Sequence, residues 1–242
     1  MKFLSHLLSP VFAFVFFAIL VIFHPLQWIG LNVFGYKGHK FVIDLLNFFL
    51  VKSLLILGVV VRLKNDYKIP EDASIIFVSN HQSTFDIPPF GYFFRKQHPK
   101  FVAKIELRKG IPSVSFNLRH GGAALIDRKD PRQALSELGR FSKNINKNKW
   151  GAIIFPEGTR SRNGKPKTFS VNGLKMITKY NQDGYIVPVT INNSWKVFKY
   201  GKYPFGLGSP ITFTTHKPIK IDSLSFEELM KETESKIISQ IK

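Results

Sequence analysis

Ser74-Ile75-Ile76-Phe77-Val78-Ser79, running directly into Asn80-His81-Gln82-Ser83-Thr84-Phe85-Asp86, is the stretch that decides the fold. The first part is a short apolar run of strand length. The second is a polar cluster set at its end. The arrangement recurs at Gly151-Ala152-Ile153-Ile154-Phe155, where Pro156 stops the strand and Glu157-Gly158-Thr159-Arg160-Ser161-Arg162 follows. Open α/β sheets build their sites beyond the carboxyl ends of their strands, so two such clusters in one chain are placed to converge on one crevice.

Outward from these two stretches the same alternation continues. Strand-length runs stand at 101–103, 123–126, 185–191 and 211–214. Asp130-Pro131 opens a helix to about residue 145, with Asp as N-cap and Pro in the first turn. Residues 170–180 read as a helix. Ser225-Phe226-Glu227-Glu228 is a capping box opening an amphipathic helix to about residue 241. Strands alternating with helices indicate an α/β sheet covered by helices.

The chain has 242 residues, enough for one catalytic domain and an appendage. It has no cysteine, which excludes a disulfide scaffold, a thiolate zinc site and a cysteine nucleophile. Thirty-five Lys and Arg against 16 Asp and Glu give a net charge of +19, so the chain seeks anionic partners. Much of its load of 24 Phe lies in the first 50 residues, which tilts that partner towards membrane lipid. A nucleic-acid partner would also explain the charge. Yet Trp195, Phe198, Tyr200, Tyr203 and Phe205 beside Lys196, Lys199 and Lys202 suit a membrane interface equally well.

From Phe3 to Tyr36 there is no formal charge. Residues 4–23 form a mostly apolar stretch whose helix would rise about 30 Å, enough to cross a hydrocarbon core. A second run, residues 41–61, carries Asp44, Asn47 and Lys52, which share an arc of roughly 140° on a helix. The pair reads as a helical hairpin, spanning the membrane or embedded on one side, with Trp28, Tyr36, Lys37 and Lys40 as an interfacial anchor. A cleaved signal peptide is disfavoured, because no small-x-small site follows the first run. Two buried core helices are the other alternative. The reading divides the chain into a membrane anchor, 1–63, and a catalytic domain, 64–242.

The chemistry sits in the two clusters. His81 and Asp86 would diverge by about 140° on a regular helix, but they can meet at a strand-to-helix corner. A carboxylate on one imidazole nitrogen fixes the tautomer and leaves the other nitrogen free as a base. Asp86 also stands three residues after Ser83, as the second member of a capping box would. No Gly-x-Ser-x-Gly elbow and no His-Glu-x-x-His occurs, which disfavours a serine hydrolase and a zincin. A base without a protein nucleophile suggests that the substrate supplies it. Gly158 relaxes the second cluster, Thr159 offers a hydroxyl, and Arg160 and Arg162 offer planar forks that suit phosphate. Between Gly158 and Asp222 the only acid is Asp183, against eleven lysines and arginines. A P-loop is rejected: Gly158 and Gly164 are misspaced, and Pro166 stands where Ser or Thr is needed.

The motifs resemble those of the glycerolipid acyltransferases. Residues 80–86 resemble the family's His-x4-Asp motif, and residues 155–161 its phosphate-associated motif. Ala103-Lys104-Ile105-Glu106-Leu107 with Ile111-Pro112, then Leu125-Ile126-Asp127-Arg128, resemble the intermediate motif, and Val187-Pro188-Val189 the last. The nearest resemblance is to the 1-acyl-sn-glycerol-3-phosphate acyltransferases, and the N-terminal hairpin resembles their anchor. One departure is Asn117-Leu118-Arg119-His120-Gly121-Gly122, more polar than the family's apolar stretch there; it bears on acyl-chain selection rather than chemistry. The resemblance implies a mixed, largely parallel sheet and direct acyl transfer to the sn-2 hydroxyl of lysophosphatidate. His81 and Asp86 would be catalytic. Glu157, Gly158, Thr159 and Arg160 would position the glycerol phosphate, with Lys104 and Arg128 as further candidates. It implies no metal or cofactor, acyl-CoA or acyl carrier protein as co-substrate, membrane lipids and lysophosphatidate as partners, no nucleic acid, and a cytoplasmic-facing catalytic domain. Other acceptors, namely glycerol 3-phosphate, a lyso-ornithine lipid or another lysophospholipid, stay open on the motifs alone. A non-catalytic basic membrane protein would explain charge and anchor, but not His81 with Asp86.

Overall fold

The structure, a computed structural model, describes residues 2–242. An eight-stranded sheet runs in the order β1 (Val61–Lys64), β7 (Ile211–Thr215), β6 (Tyr185–Asn192), β2 (Ile75–Ser79), β5 (Gly151–Ile154), β3 (Lys100–Lys104), β4 (Ala124–Ile126), with β8 (Ile219–Lys220) beside β6. From β6 to β4 all neighbours are parallel, so the ends of β6, β2, β5, β3 and β4 open on one edge. β7 and β8 pair with β6 antiparallel, and β1 joins β7 parallel, which makes the sheet mixed and largely parallel.

Alternation along β2 divides the core. Ile75 and Phe77 enter one buried cluster with Phe90, Phe94, Val187, Val189 and Phe213. Ile76 and Val78 enter another with Leu138, Phe141, Ile145, Leu174, Ile177 and Leu229. The second is roofed by α4 (Pro131–Asn148), α5 (Asn172–Lys179) and α6 (Phe226–Ile238). Both expected caps are formed: Asp130 accepts from the Arg132 and Gln133 N–H groups, and Ser225 and Glu228 cap each other reciprocally. The first cluster is covered by α2 (Ile87–Phe93) and by the N-terminal helix.

That helix, α1 (Lys2–Ser53), is broken at Gly35, whose φ of 63° and ψ of −153° reverse the chain. The arms cross at Gly30 and Gly38, where a Cβ on either residue would press on the other's carbonyl. Leu20, Phe23, Leu46 and Leu50 pack between them. The hairpin is therefore present, but the second arm ends earlier than its hydropathy indicates. A 3-10 turn (Leu54–Leu57) follows, and Val61 enters β1, so the expected boundary at 63/64 falls inside a strand. α1 is long and apolar enough to cross a membrane, and only 22% of its most apolar window is buried. Phe3, Phe14 and Phe34 stand more than two-thirds exposed (87%, 75% and 69%).

The hairpin also grips the body. Phe12 is fully buried in the first core cluster. Part of the polar stripe is turned to protein, with Asn47 lying tightly against Gly91 of α2. Of the expected interfacial anchor, Trp28 and Lys37 are exposed. Tyr36 and Lys40 instead face protein. The Tyr36 hydroxyl bonds His98 Nδ1 (2.7 Å), its ring stacks on Trp150, and Lys40 pairs with Asp44 (2.5 Å). The short elements β1, β8 and α2, and α3 (Val114–His120), have no counterpart in the hydropathy pattern.

Candidate active site

β2 ends at Ser79, and the chain turns sharply through residues 80–83 into the 3-10 turn Thr84–Asp86. Asn80 holds this turn to the neighbouring strand, its side chain bonding both the Ile191 N–H (2.7 Å) and carbonyl (2.8 Å). The turn brings the five-residue pair together: His81 Nδ1 lies 2.8 Å from Asp86 Oδ2. The same oxygen accepts the backbone N–H groups of Gln82 (2.7 Å) and Ser83 (2.9 Å). Capping and the contact with the imidazole thus meet at a single oxygen of Asp86. Asp86 is fully buried, and the His81 ring lies flat on Phe155, centroids 4.1 Å apart. With Nδ1–H donated to the carboxylate, Nε2 is the nitrogen available to a substrate.

The second loop leaves β5 beside it. Gly158 adopts φ 64°, a conformation that costs glycine nothing. Three hydrogen bonds tie the loops: the His81 N–H donates to Glu157 Oε1 (2.7 Å), the Ser161 N–H to the His81 carbonyl (2.7 Å), and Arg160 Nη1 to the Thr84 hydroxyl. Glu157 Oε2 accepts the Lys167 N–H (2.9 Å), closing the loop on itself. Burial raises the Glu157 pKa, while the N–H groups of His81 and Lys167 pull the other way. Both Glu157 oxygens are thereby committed to the backbone, so Glu157 shapes the loop rather than facing it outward. Thr159 and Arg160 are exposed on it.

Lys104 ends β3 and Arg128 follows β4, so both stand on the same edge as His81 and Glu157. Both are exposed, and among the described residues no hydrogen bond joins either to the Glu157–Arg160 loop. The structure also adds contacts at the site from Ser194, which the sequence does not single out, and from Trp195, which it reads only as a candidate interfacial aromatic. Ser194, after β6, bonds Gln82 and Ser83, and Trp195 lies on Gly164. No local pattern signals them, because β6 and β2 become neighbours only in the folded sheet.

The model of the acyltransferase family matches residues 60–192, which contain both loops. The chain is 29% identical over 167 residues to a chloroplast 1-acyl-sn-glycerol-3-phosphate acyltransferase of Brassica napus, a match covering 68% of this chain and 47% of that one. It is 30% identical over 186 residues to a 1-acyl-sn-glycerol-3-phosphate acyltransferase of Borreliella burgdorferi, covering 77% and 71%. The chain spans about half the length of the plant relatives it matches. The crystal structure of PlsC, the 1-acyl-sn-glycerophosphate acyltransferase of Thermotoga maritima, superposes with a TM-score of 0.80 at 26% identity, over 99% of this chain and 95% of that one. With the His81–Asp86 corner inside the matched region and the hairpin inside the superposed one, the chain belongs to the acyltransferase family.

Proposed function

We propose that the protein transfers a fatty acyl group to the sn-2 hydroxyl of 1-acyl-sn-glycerol 3-phosphate, giving phosphatidic acid. The observation that carries this is the triple tie between the base-bearing corner and an exposed arginine loop on one sheet edge. On this reading a proton acceptor stands beside a fork suited to phosphate, as an acceptor with both a hydroxyl and a phosphate requires. The names of the relatives support the same acceptor.

In the proposed reaction His81 Nε2 takes the hydroxyl proton while the oxygen attacks the thioester carbonyl. A C–O bond forms, the C–S bond breaks, and the imidazolium returns its proton to the leaving thiolate. Asp86 stabilises the imidazolium and fixes the ring. Arg160 and Thr159 hold the phosphate, with Gly158 allowing the loop to turn. Glu157 acts through the backbone it braces, and Lys104 and Arg128 add positive charge along the edge. Acyl-CoA or acyl carrier protein supplies the thioester. Residues 1–60, which stop short of β1, serve as a one-sided membrane anchor, and sharing a compartment with the acyl donor puts the body on the cytoplasmic face.

The test is acyl transfer by the purified full chain in mixed micelles. Each donor is paired with lysophosphatidate, glycerol 3-phosphate, a lyso-ornithine lipid and lysophosphatidylcholine. Phosphatidate formed faster than any other product is the expected result. No turnover of lysophosphatidate, with brisk turnover of another acceptor, would reassign the substrate.

A further inference from the structure

Ser194 and Trp195 touch the two loops of the site, one residue each. After β6, Asn193 takes a left-handed conformation (φ 70°) and leads into the 3-10 turn Ser194–Phe198. The Ser194 N–H donates to Gln82 Oε1 (3.0 Å), and its hydroxyl bonds the Ser83 hydroxyl, which accepts the Phe85 N–H (3.0 Å). Ser194, Gln82 and Ser83 are all buried. Gln82 and Ser83 are the two residues whose backbone N–H groups hold Asp86 Oδ2. Phe198 adds a stacked contact on Phe85, with centroids 5.4 Å apart and planes 15° apart.

One residue on, Trp195 lies over Gly164, so close that a Cβ at Gly164 would overlap the indole. Gly164, at φ 79°, sits in the arginine loop, between Glu157 and the Lys167 N–H that Glu157 holds. Two successive residues therefore press on the two halves of the site from the end of one rigid central strand.

We propose that Ser194 and Trp195 are positioning residues that set the register between the His81–Asp86 pair and the Glu157–Arg160 loop. Only the kinetic part of the proposal rests on the acyl-transfer reading. Loss of the Ser194 hydroxyl frees Ser83 and loosens the corner that orients His81, so it acts on turnover. Loss of the indole frees the arginine loop, so it acts on acceptor binding. A small displacement in such a site lowers rate by about 10- to 100-fold.

The experiment uses the full chain in detergent, with Ser194→Ala, Trp195→Ala and Trp195→Phe. Melting curves are taken first, so that rates refer to folded protein. In Ser194→Ala, kcat falls about tenfold or more with both KM values kept. In Trp195→Ala, KM for lysophosphatidate rises with the donor KM kept, and Trp195→Phe, which retains a ring over Gly164, recovers most of it. The second readout is the imidazole ¹⁵N resonances of His81, identified by their loss in His81→Ala. They shift or broaden in Ser194→Ala at temperatures well below melting. Unchanged His81 resonances in folded Ser194→Ala overturn the proposal whatever the turnover, as does an unchanged acceptor KM in Trp195→Ala of an active parent. A parent inactive on lysophosphatidate overturns the acyl-transfer reading alone, since the resonances still decide whether Ser194 orients His81.

Discussion

One oxygen of Asp86 accepts from an imidazole and two backbone N–H groups, which makes Asp86→Asn unusually informative. The asparagine oxygen can occupy the same place and keep all three bonds, while the charge is lost. Asp86→Asn is expected to fold with a lowered melting temperature, because its NH2 takes the buried, unpartnered place of Oδ1, and to lose most of its turnover, because the imidazolium is no longer stabilised. His81→Ala, which removes the base itself, is expected to lose about 10²- to 10⁴-fold. Folded His81→Ala protein with near-parent turnover would end the proposed mechanism. Arg160→Lys tests the other loop: the fork is lost and a point charge is kept. KM for the acceptor is expected to rise with the donor KM unchanged; an effect confined to the donor would move Arg160 to the thioester side. The His81–Asp86 pair was legible because a strand, a sharp turn and a capping pattern all lie within thirteen residues, 74–86. Glu157 was only half legible. The family resemblance implies a place at the glycerol phosphate, while in the structure its carboxylate accepts the N–H of His81, 76 residues away, and the N–H of Lys167.

Among the elements, the hairpin tip shows where hydropathy misleads. Tyr36 and Lys40 look like residues of a membrane interface, but a sequence cannot show that Lys100, His98 and Trp150 stand opposite. Lys100 is 6% exposed, donates to the Tyr36 hydroxyl (3.1 Å) and lies over the rings of Tyr36 and Trp150, 4.8 and 4.4 Å from their centroids. The rings attract an ammonium, yet removal from water outweighs them. Burial first, then the charge of Lys40, push the Lys100 pKa down to about 7, with Asp44 opposing. The folded protein therefore binds this proton less readily than the unfolded chain. The cost is fully present below about pH 7 and is relieved as pH rises from there to 10.5. The parent is expected to gain melting temperature over that window relative to Lys100→Met, and parallel curves would exclude the linkage. Strands 2 to 7 were legible from apolar runs. β1 was hidden inside a hydrophobic stretch that reads as helix, and β8 is two residues long.

For the molecule as a whole, the proposed membrane attachment has two parts, an apolar hairpin and a net charge of +19. Salt screens the second and not the first. High salt is expected to leave the full chain in the membrane fraction while releasing a body that lacks residues 1–60. Full-length protein washed off by salt alone would show that the hairpin is not inserted. The hairpin also packs against the site. Phe12 and Phe16 meet the ring of Phe85, centroids 5.5 and 5.6 Å away, and Phe85 precedes Asp86. With the hairpin inserted as proposed, the corner holding the base would be held at one depth relative to the membrane surface. A catalyst fixed in this way scoots along a film and meets its acceptor by diffusion in two dimensions. Its rate would follow the mole fraction of acceptor in that film, falling as inert lipid is blended in even when the number of acceptor molecules in the tube stays the same.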